Sequence, residues 1–389
     1  MKVLRRIYRI AVRECQIMWS SAIYRFCILV FPILIVVFFT SLMHEGVPEN
    51  MPVGIVDLDH SSTSRAIVQK LDAMQTSEIY DYYNSLSEAR KAVQKQEIYS
   101  ILFIPSRFEQ KLMGGERPVI SYYNSYTTLV AGSLTYRDIK TACTLAAAKV
   151  GMTKLAAVGK SSHEIMANLQ PISVDLHMIG NPYASYNVYL STYVVPGALM
   201  IFIFLLVPYS IWTEVKFGRS KDWIMMAGGN IRIALIGKLL PHTIMFLTVF
   251  LCFEFYIYGY LDFPHKGGLL DIVLVGVLSV LACQGFGVFI SGIMPSLRMS
   301  MSICSLWSVV SFSMCGATYP VEAMDRMVHA MAWLFPLRHY IMMYQINIFD
   351  GYPLQYTVWN IAGLMFFILL PVLSEKNIKK NMLFSVYIP

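Results

Sequence analysis

The chain has 389 residues, 56% of them hydrophobic and only 14% charged, where ordinary soluble domains carry roughly 25% charged residues. The deficit is concentrated in a few apolar spans, which excludes a soluble protein and points to an integral membrane one. The net charge of +7 falls in segments flanking those spans, so it marks topology and lipid contact rather than nucleic-acid binding.

The first 25 residues hold Lys2, Arg5, Arg6, Arg9, Arg13 and Arg25 against Glu14 alone. Leu4, Ile7, Ile10, Ala11, Ile17 and Met18 recur at helical spacing, with Arg5, Arg9 and Arg13 on another face. This pattern predicts a cytoplasmic amphipathic interfacial helix over 1–25. The next segment, 26–43, is apolar from Cys27 to Met43. A bilayer core about 30 Å thick needs ~20 apolar residues of helix. A signal-peptide core is shorter, roughly 7–15 residues, and no A-x-A site follows. The segment is therefore expected to be a retained first transmembrane helix.

Residues 44–190 carry 13 basic and 14 acidic side chains and have an α/β rhythm. Strands are expected at Met51–Asp59, Ile79–Asn84, Ser100–Ile104 and Val119–Asn124. Helices are expected at His60–Met74, Ser85–Glu97 and from Thr128 to about Asn168. Strands alternating with helices imply a partly parallel sheet, and roughly 150 residues can bury their own core. Only Cys143 of the seven cysteines lies here, so the domain has no internal disulfide of its own.

Residues 191–373 read as a five-helix bundle. Its spans are Tyr193–Trp212, Gly237–Tyr258, Leu269–Ile293, Met299–Cys315 and Val358–Leu373. A cytoplasmic coupling helix is expected within 213–236. An outer re-entrant segment is expected over 316–352, where prolines 320 and 336 interrupt the apolar run. Residues 374–389 form a tail with Lys376, Lys379 and Lys380. Basic residues mark cytoplasmic segments. Six spans with both termini in the cytoplasm satisfy every basic site and place 44–190 outside. The expected fold is an α-helical polytopic membrane protein, with six transmembrane helices and an inserted α/β extracytoplasmic domain.

Chemical motifs are sparse. Gly159-Lys160-Ser161 ends like a phosphate-binding loop, but the leading glycine is replaced by Lys154. There is no G-x-S-x-G and no H-E-x-x-H, and His163, His177, His242, His265, His329 and His339 are scattered. Asp57-Leu58-Asp59-His60 suits a strand end and helix cap better than a metal. Ionisable residues at membrane depth are expensive and often functional. Glu254 and Asp271 are therefore candidates for a substrate path, with Gln284 and Tyr193 beside them.

The stretch from Glu214 through Lys216, Gly218, Arg219 and Asp222, followed by Gly237-Lys238-Leu239-Leu240-Pro241, resembles the permease subunits of ABC-2 type exporters. Their inner loop reads E-x-x-x-G-T and then G-K-x-x-P; Glu214 and Gly218 match, and Arg219 replaces the usual threonine. Pro264-His265-Lys266-Gly267, Gly285 to Ser291, Gly316 to Pro320 and Pro336-Leu337-Arg338 are similar to later family segments. Pro52 to Asp59 and Ile104 to Phe108 are similar to the subgroup with a large external domain.

The resemblance implies an export permease of the bacterial inner membrane that moves an amphipathic or lipid-like substrate or drug. It would have no ATPase site and no bound cofactor of its own. ATP and Mg would be used by separate cytoplasmic ABC ATPase subunits. The permease would dimerise, with itself or a sibling, and the subgroup works beside periplasmic adaptor and outer-membrane channel proteins. Glu214, Lys216, Gly218, Arg219, Asp222, Arg9 and Arg13 would face the ATPase. Gly237, Pro241, Gly287, Gly316, Pro320 and Pro336 would serve structure and gating. A receptor or scaffold, with the external domain as its sensor, is the alternative.

Overall fold

The structure is a computed structural model that describes residues 2–44, 46–125, 128–161, 164–165, 180–385 and 387. The chain divides into two compact units: Glu45–His177, and Met1–His44 together with Met178–Pro389.

The inserted unit is built on β1 (Met51–Asp57), β2 (Ser77–Tyr82), β3 (Ser100–Ile104) and β4 (Ser121–Asn124). They lie in the order β2-β1-β3-β4. The β1–β2 and β1–β3 pairs are parallel, and β3–β4 is antiparallel. Between the strands lie α3 (Ser62–Asp72), α4 (Leu86–Gln94) and α5 (Phe108–Met113), and α6 (Leu129–Ala157) follows β4. Ser61 and Ser85 start α3 and α4 by accepting the Ser64 and Glu88 amides.

β1 is central and buried on both faces, as parallel strands are. Val53 and Ile55 pack with Ile67, Leu71 and Ile139 on one side. Val56 packs with Ala89, Ala92 and Ile101 on the other. The expected helix from Thr128 ends at Ala157, and residues 166–168 of that expectation lie outside the described residues, as do His163 and His177. The acidic run is occupied by capping: Asp57 accepts the Asp59 and His60 amides, and Asp59 accepts those of Phe108 and Glu109.

In the other unit, α1 spans Lys2–Ser20 and α2 spans Ala22–Leu42, with one π-turn at Phe26–Val30. Ser21 breaks the chain between them in extended backbone, so the interfacial helix stops short of residue 25. Next come α7 (Tyr186–Lys216), α8 (Ser220–Met226) and α9 (Ile231–Phe255), which a π-turn extends to Tyr260. They are followed by α10 (Leu269–Ile293), α11 (Leu297–Met314), α12 (Arg326–Ala332) and α13 (Pro336–Met343). The last two, α14 (Val358–Leu369) and α15 (Pro371–Phe384), run nearly end to end.

Among the described residues, five helices are long and apolar enough to cross a membrane, not six: α2, α7, α9, α10 and the α14–α15 pair. The expected span at Met299–Cys315 is present as α11. It has 18 residues but six serines between Ser300 and Ser313, which lower its apolar character. Residues 213–236 are not one coupling helix. They comprise the end of α7, the short α8, and the first turns of α9.

Candidate coupling site

The last turn of α7 ends in a Schellman motif. The Gly218 amide donates to the Val215 carbonyl at 3.0 Å and the Arg219 amide to the Glu214 carbonyl at 2.8 Å. Gly218 takes φ +68 there, a conformation glycine adopts without penalty. This turn aims Glu214 inward while the chain reverses into α8.

On α1, Ile10, Glu14 and Met18 fall at i, i+4 and i+8, and all three are buried. On α9, Lys238 and His242 are four residues apart and share a face. Gly237 lets the two helices meet. A Cβ at that position would stand 2.8 Å from the Ile10 Cβ and 3.1 Å from the Ile7 carbonyl oxygen.

These elements bring five ionisable side chains together. Lys238 Nζ donates to Glu14 Oε2 and to Glu214 Oε1, each at 2.7 Å. Arg13 makes a two-pronged pair with Glu214 at 2.9 and 2.7 Å. His242 Nε2 lies 3.0 Å from Glu14 Oε1. Glu14 and His242 are 0% exposed, and Lys238 and Glu214 are 1% exposed. The Lys238 ammonium also sits 5.2 Å from the Trp223 ring centre, a cation–π contact. Trp223 is fully buried on α8 and donates its indole N–H to the Ala234 carbonyl. The cluster therefore ties α1, α7 and α9 together, with α8 lying against it.

Electrostatics hold the arrangement. Burial works to raise the Glu14 carboxyl, but the Lys238 charge and the His242 hydrogen bond outweigh it and bring it down to about 2. Burial likewise opposes the charge on Arg13, and the bond and charge of Glu214 overcome it, so the guanidinium is held above its usual value. Two cations and two carboxylates balance. Removing one partner of such a set costs about 3–5 kcal/mol, because a buried charge is left uncompensated.

The residues expected to contact an ATPase divide into three groups. Glu214 and Arg13 belong to the buried cluster, and Arg13 retains only 19% of its side-chain exposure. Arg9, Lys216, Gly218 and Asp222 are exposed. Arg219 is half-buried, its guanidinium 4.9 Å from the Phe217 ring centre. Lys216 lies 5.6 Å from the Tyr387 ring centre.

Of the expected substrate-path residues, Glu254 and Tyr193 bond to adjacent residues, and Asp271 and Gln284 are placed apart from each other. Glu254 is buried; it accepts from the Tyr344 hydroxyl at 3.0 Å, and its Oε1 has no partner among the described residues. The Tyr344 hydroxyl also bonds that of Tyr258, and the next residue, Gln345, bonds Tyr193. Asp271 instead caps α10, accepting from the Gly268 amide. Gln284 accepts from Thr243, thirteen residues and about 20 Å further along that helix.

Of the expected gating positions, Gly287 faces Val207 at close range and Gly316 takes φ +97. Pro320 precedes a 3₁₀ turn, Pro336 opens α13, and Pro241 lies inside α9.

Sequence reasoning passed over Glu14, Lys238, His242 and Trp223 as site residues. The signal was present for three of them. Glu14 falls in phase with Ile10 and Met18 on the apolar stripe of α1. Lys238 and His242 lie inside a span whose ionisable residues warranted the same attention as Glu254.

Such a bundle, with a charge cluster joining its first helix to two membrane helices and an α/β domain inserted after the first span, defines a polytopic membrane protein with a large folded insert. A family model described as ABC-2 family transporter protein matches residues 22–373, and the chain belongs to that family. It is a multi-pass membrane component of an ABC transporter, which works with an ATPase subunit. Among curated proteins no match was found.

Proposed function

We propose that the chain is the permease half of an exporter that moves an amphipathic or lipid-like molecule out of the cytoplasm or the inner membrane. Two copies, or one copy and a sibling, pair above two ATPase subunits that supply ATP and Mg. The α/β domain lies outside and the termini inside, and an adaptor and outer-membrane channel extend the path.

One observation supports this most. The outward face of α8 presents Lys221, Asp222 and Met225, while its inward face seats Trp223 against Lys238. A partner that docks on the outward face and shifts α8 displaces Trp223, and with it the charges joining α1 to α7 and α9. The motion of a nucleotide-driven motor thus reaches two membrane helices through a packed two-state element.

The test is coexpression with the cognate ATPase and measurement of ATP hydrolysis and efflux. Glu214→Ala leaves Arg13 and half of Lys238 unpaired, and is expected to lower stimulated hydrolysis and efflux at least tenfold while membrane insertion stays normal. Asp222→Arg, on the exposed face, should weaken copurification of the ATPase with no loss of thermal stability. A permease that copurifies with no hydrolase refutes the proposal and favours the receptor or scaffold.

A further inference from the structure

Between α1, α2 and α9 lies an apolar groove of about 370 Å³. Its walls are Val12 and Cys15 of α1, Ile28 and Leu29 of α2, and Leu240 and Ile244 of α9. Its rim carries Arg25 and Trp19, both exposed, and its inner end is Tyr24. Arg25 has no carboxylate within ion-pair distance among the described residues, unlike Arg13 and Arg232, which both have one. We infer that this groove holds an anionic phospholipid, with one acyl chain along the apolar walls and its phosphate on Arg25.

Three observations favour that occupant. The groove opens beside the exposed face of α2, where Val30, Ile33, Leu34 and Val37 offer a continuous hydrocarbon surface, so what enters comes from the bilayer. An exposed tryptophan beside an arginine at the end of an apolar helix marks headgroup depth. The surrounding charge is also one-sided. Arg5, Arg6 and Arg9 are exposed on α1, while the only acid of that helix, Glu14, is already paired inside. Each basic group near an anionic leaflet adds about a fivefold preference.

The site adjoins the charge cluster. The Tyr24 ring lies edge-on to His242 with centres 5.5 Å apart, and His242 bonds Glu14. A lipid that presses on Tyr24 thus sets the resting position of α1, and the composition of the leaflet tunes coupling.

The test needs no ATPase, so its failure leaves the exporter proposal standing. The permease, purified gently from membranes containing equal phosphatidylglycerol and phosphatidylethanolamine, is examined by native mass spectrometry. The expected result is retained phosphatidylglycerol in excess over phosphatidylethanolamine. Arg25→Gln should reduce it about fivefold, Ala11→Trp, which fills the groove from another lining position of α1, should abolish it, and added inorganic phosphate should not displace it. Equal retention of the two lipids, or no change in Arg25→Gln, overturns the inference. So does displacement by phosphate, or an Ala11→Trp protein that keeps its lipid but loses a dimer, since the groove would then belong to a second copy.

Discussion

Helix α9 buries ionisable groups near both of its ends and treats them in opposite ways. Near its start, Lys238 and His242 meet Glu14 and Glu214 from two other helices, and every charge has a counter-charge. Near its end, Glu254 is equally buried but accepts only from Tyr344 among the described residues, where its other carboxylate oxygen has no partner. A balanced cluster holds helices in register. A lone buried carboxylate costs stability, by several kcal/mol if ionised. The first end is thus a joint between helices, and the second is not.

Breaking the joint should have the largest effect. Lys238→Met leaves Glu14 and Glu214 buried without their shared cation and is expected to cost about 3–5 kcal/mol, read as a fall in melting temperature and early proteolysis of α1. Adding Glu14→Gln and Glu214→Gln should recover much of that loss; no recovery would mean that the cluster does not act as a unit. Next comes the helix approach that permits it. Gly237→Leu forces α9 and α1 apart where Gly237 meets Ile10 and is expected to cost about 1–3 kcal/mol, partly rescued by Ile10→Ala. At the other end the sign reverses. Glu254→Gln keeps an acceptor for Tyr344 and removes an ionisable group from a buried site, so the melting temperature should rise, by an amount corresponding to about 1–2 kcal/mol. A fall instead would show that a cation from outside the described residues already pairs with Glu254.

The smallest effect concerns pH. Glu14 titrates at about 2 instead of 4.5. A depressed carboxyl contributes stability in full above its unfolded value and loses it as pH falls from 4.5 towards 2. Hydrogen exchange in α1, corrected for intrinsic rate, should therefore be unchanged between pH 7 and 5. Loosening within that window would place control with another group of the cluster.

Much of this architecture could be read from periodicity. The β3 strand was legible to the residue because Pro105 ends it; the helix starts were legible only to within a few serines and threonines, of which Ser61 and Ser85 make the caps. The α5 helix was not, since six residues hold too few turns to show a period. The apolar span read at Tyr193–Trp212 lies within α7, which continues past its polar end to Lys216 and so carries Glu214. At the site, sequence pointed to Glu214 and Arg13 through a family pattern and assigned them to a surface. Their burial could not be read locally, since their partners lie more than two hundred residues away or on another helix. Arg9 and Arg13, four apart, shared a predicted face, yet only Arg13 turns inward to a carboxylate that the first 25 residues do not contain.

The partners of Glu14 are 224 and 228 residues downstream, which has a consequence for biogenesis. While the ribosome is still making the insert and α7, the N-terminal helix has a buried-type acid and nothing to receive it. It must wait on the membrane surface as a loose amphipathic arm until the third hydrophobic segment leaves the translocon. Docking of α1 is thus among the later events of assembly. A nascent chain stalled before residue 238 should expose that arm to proteases.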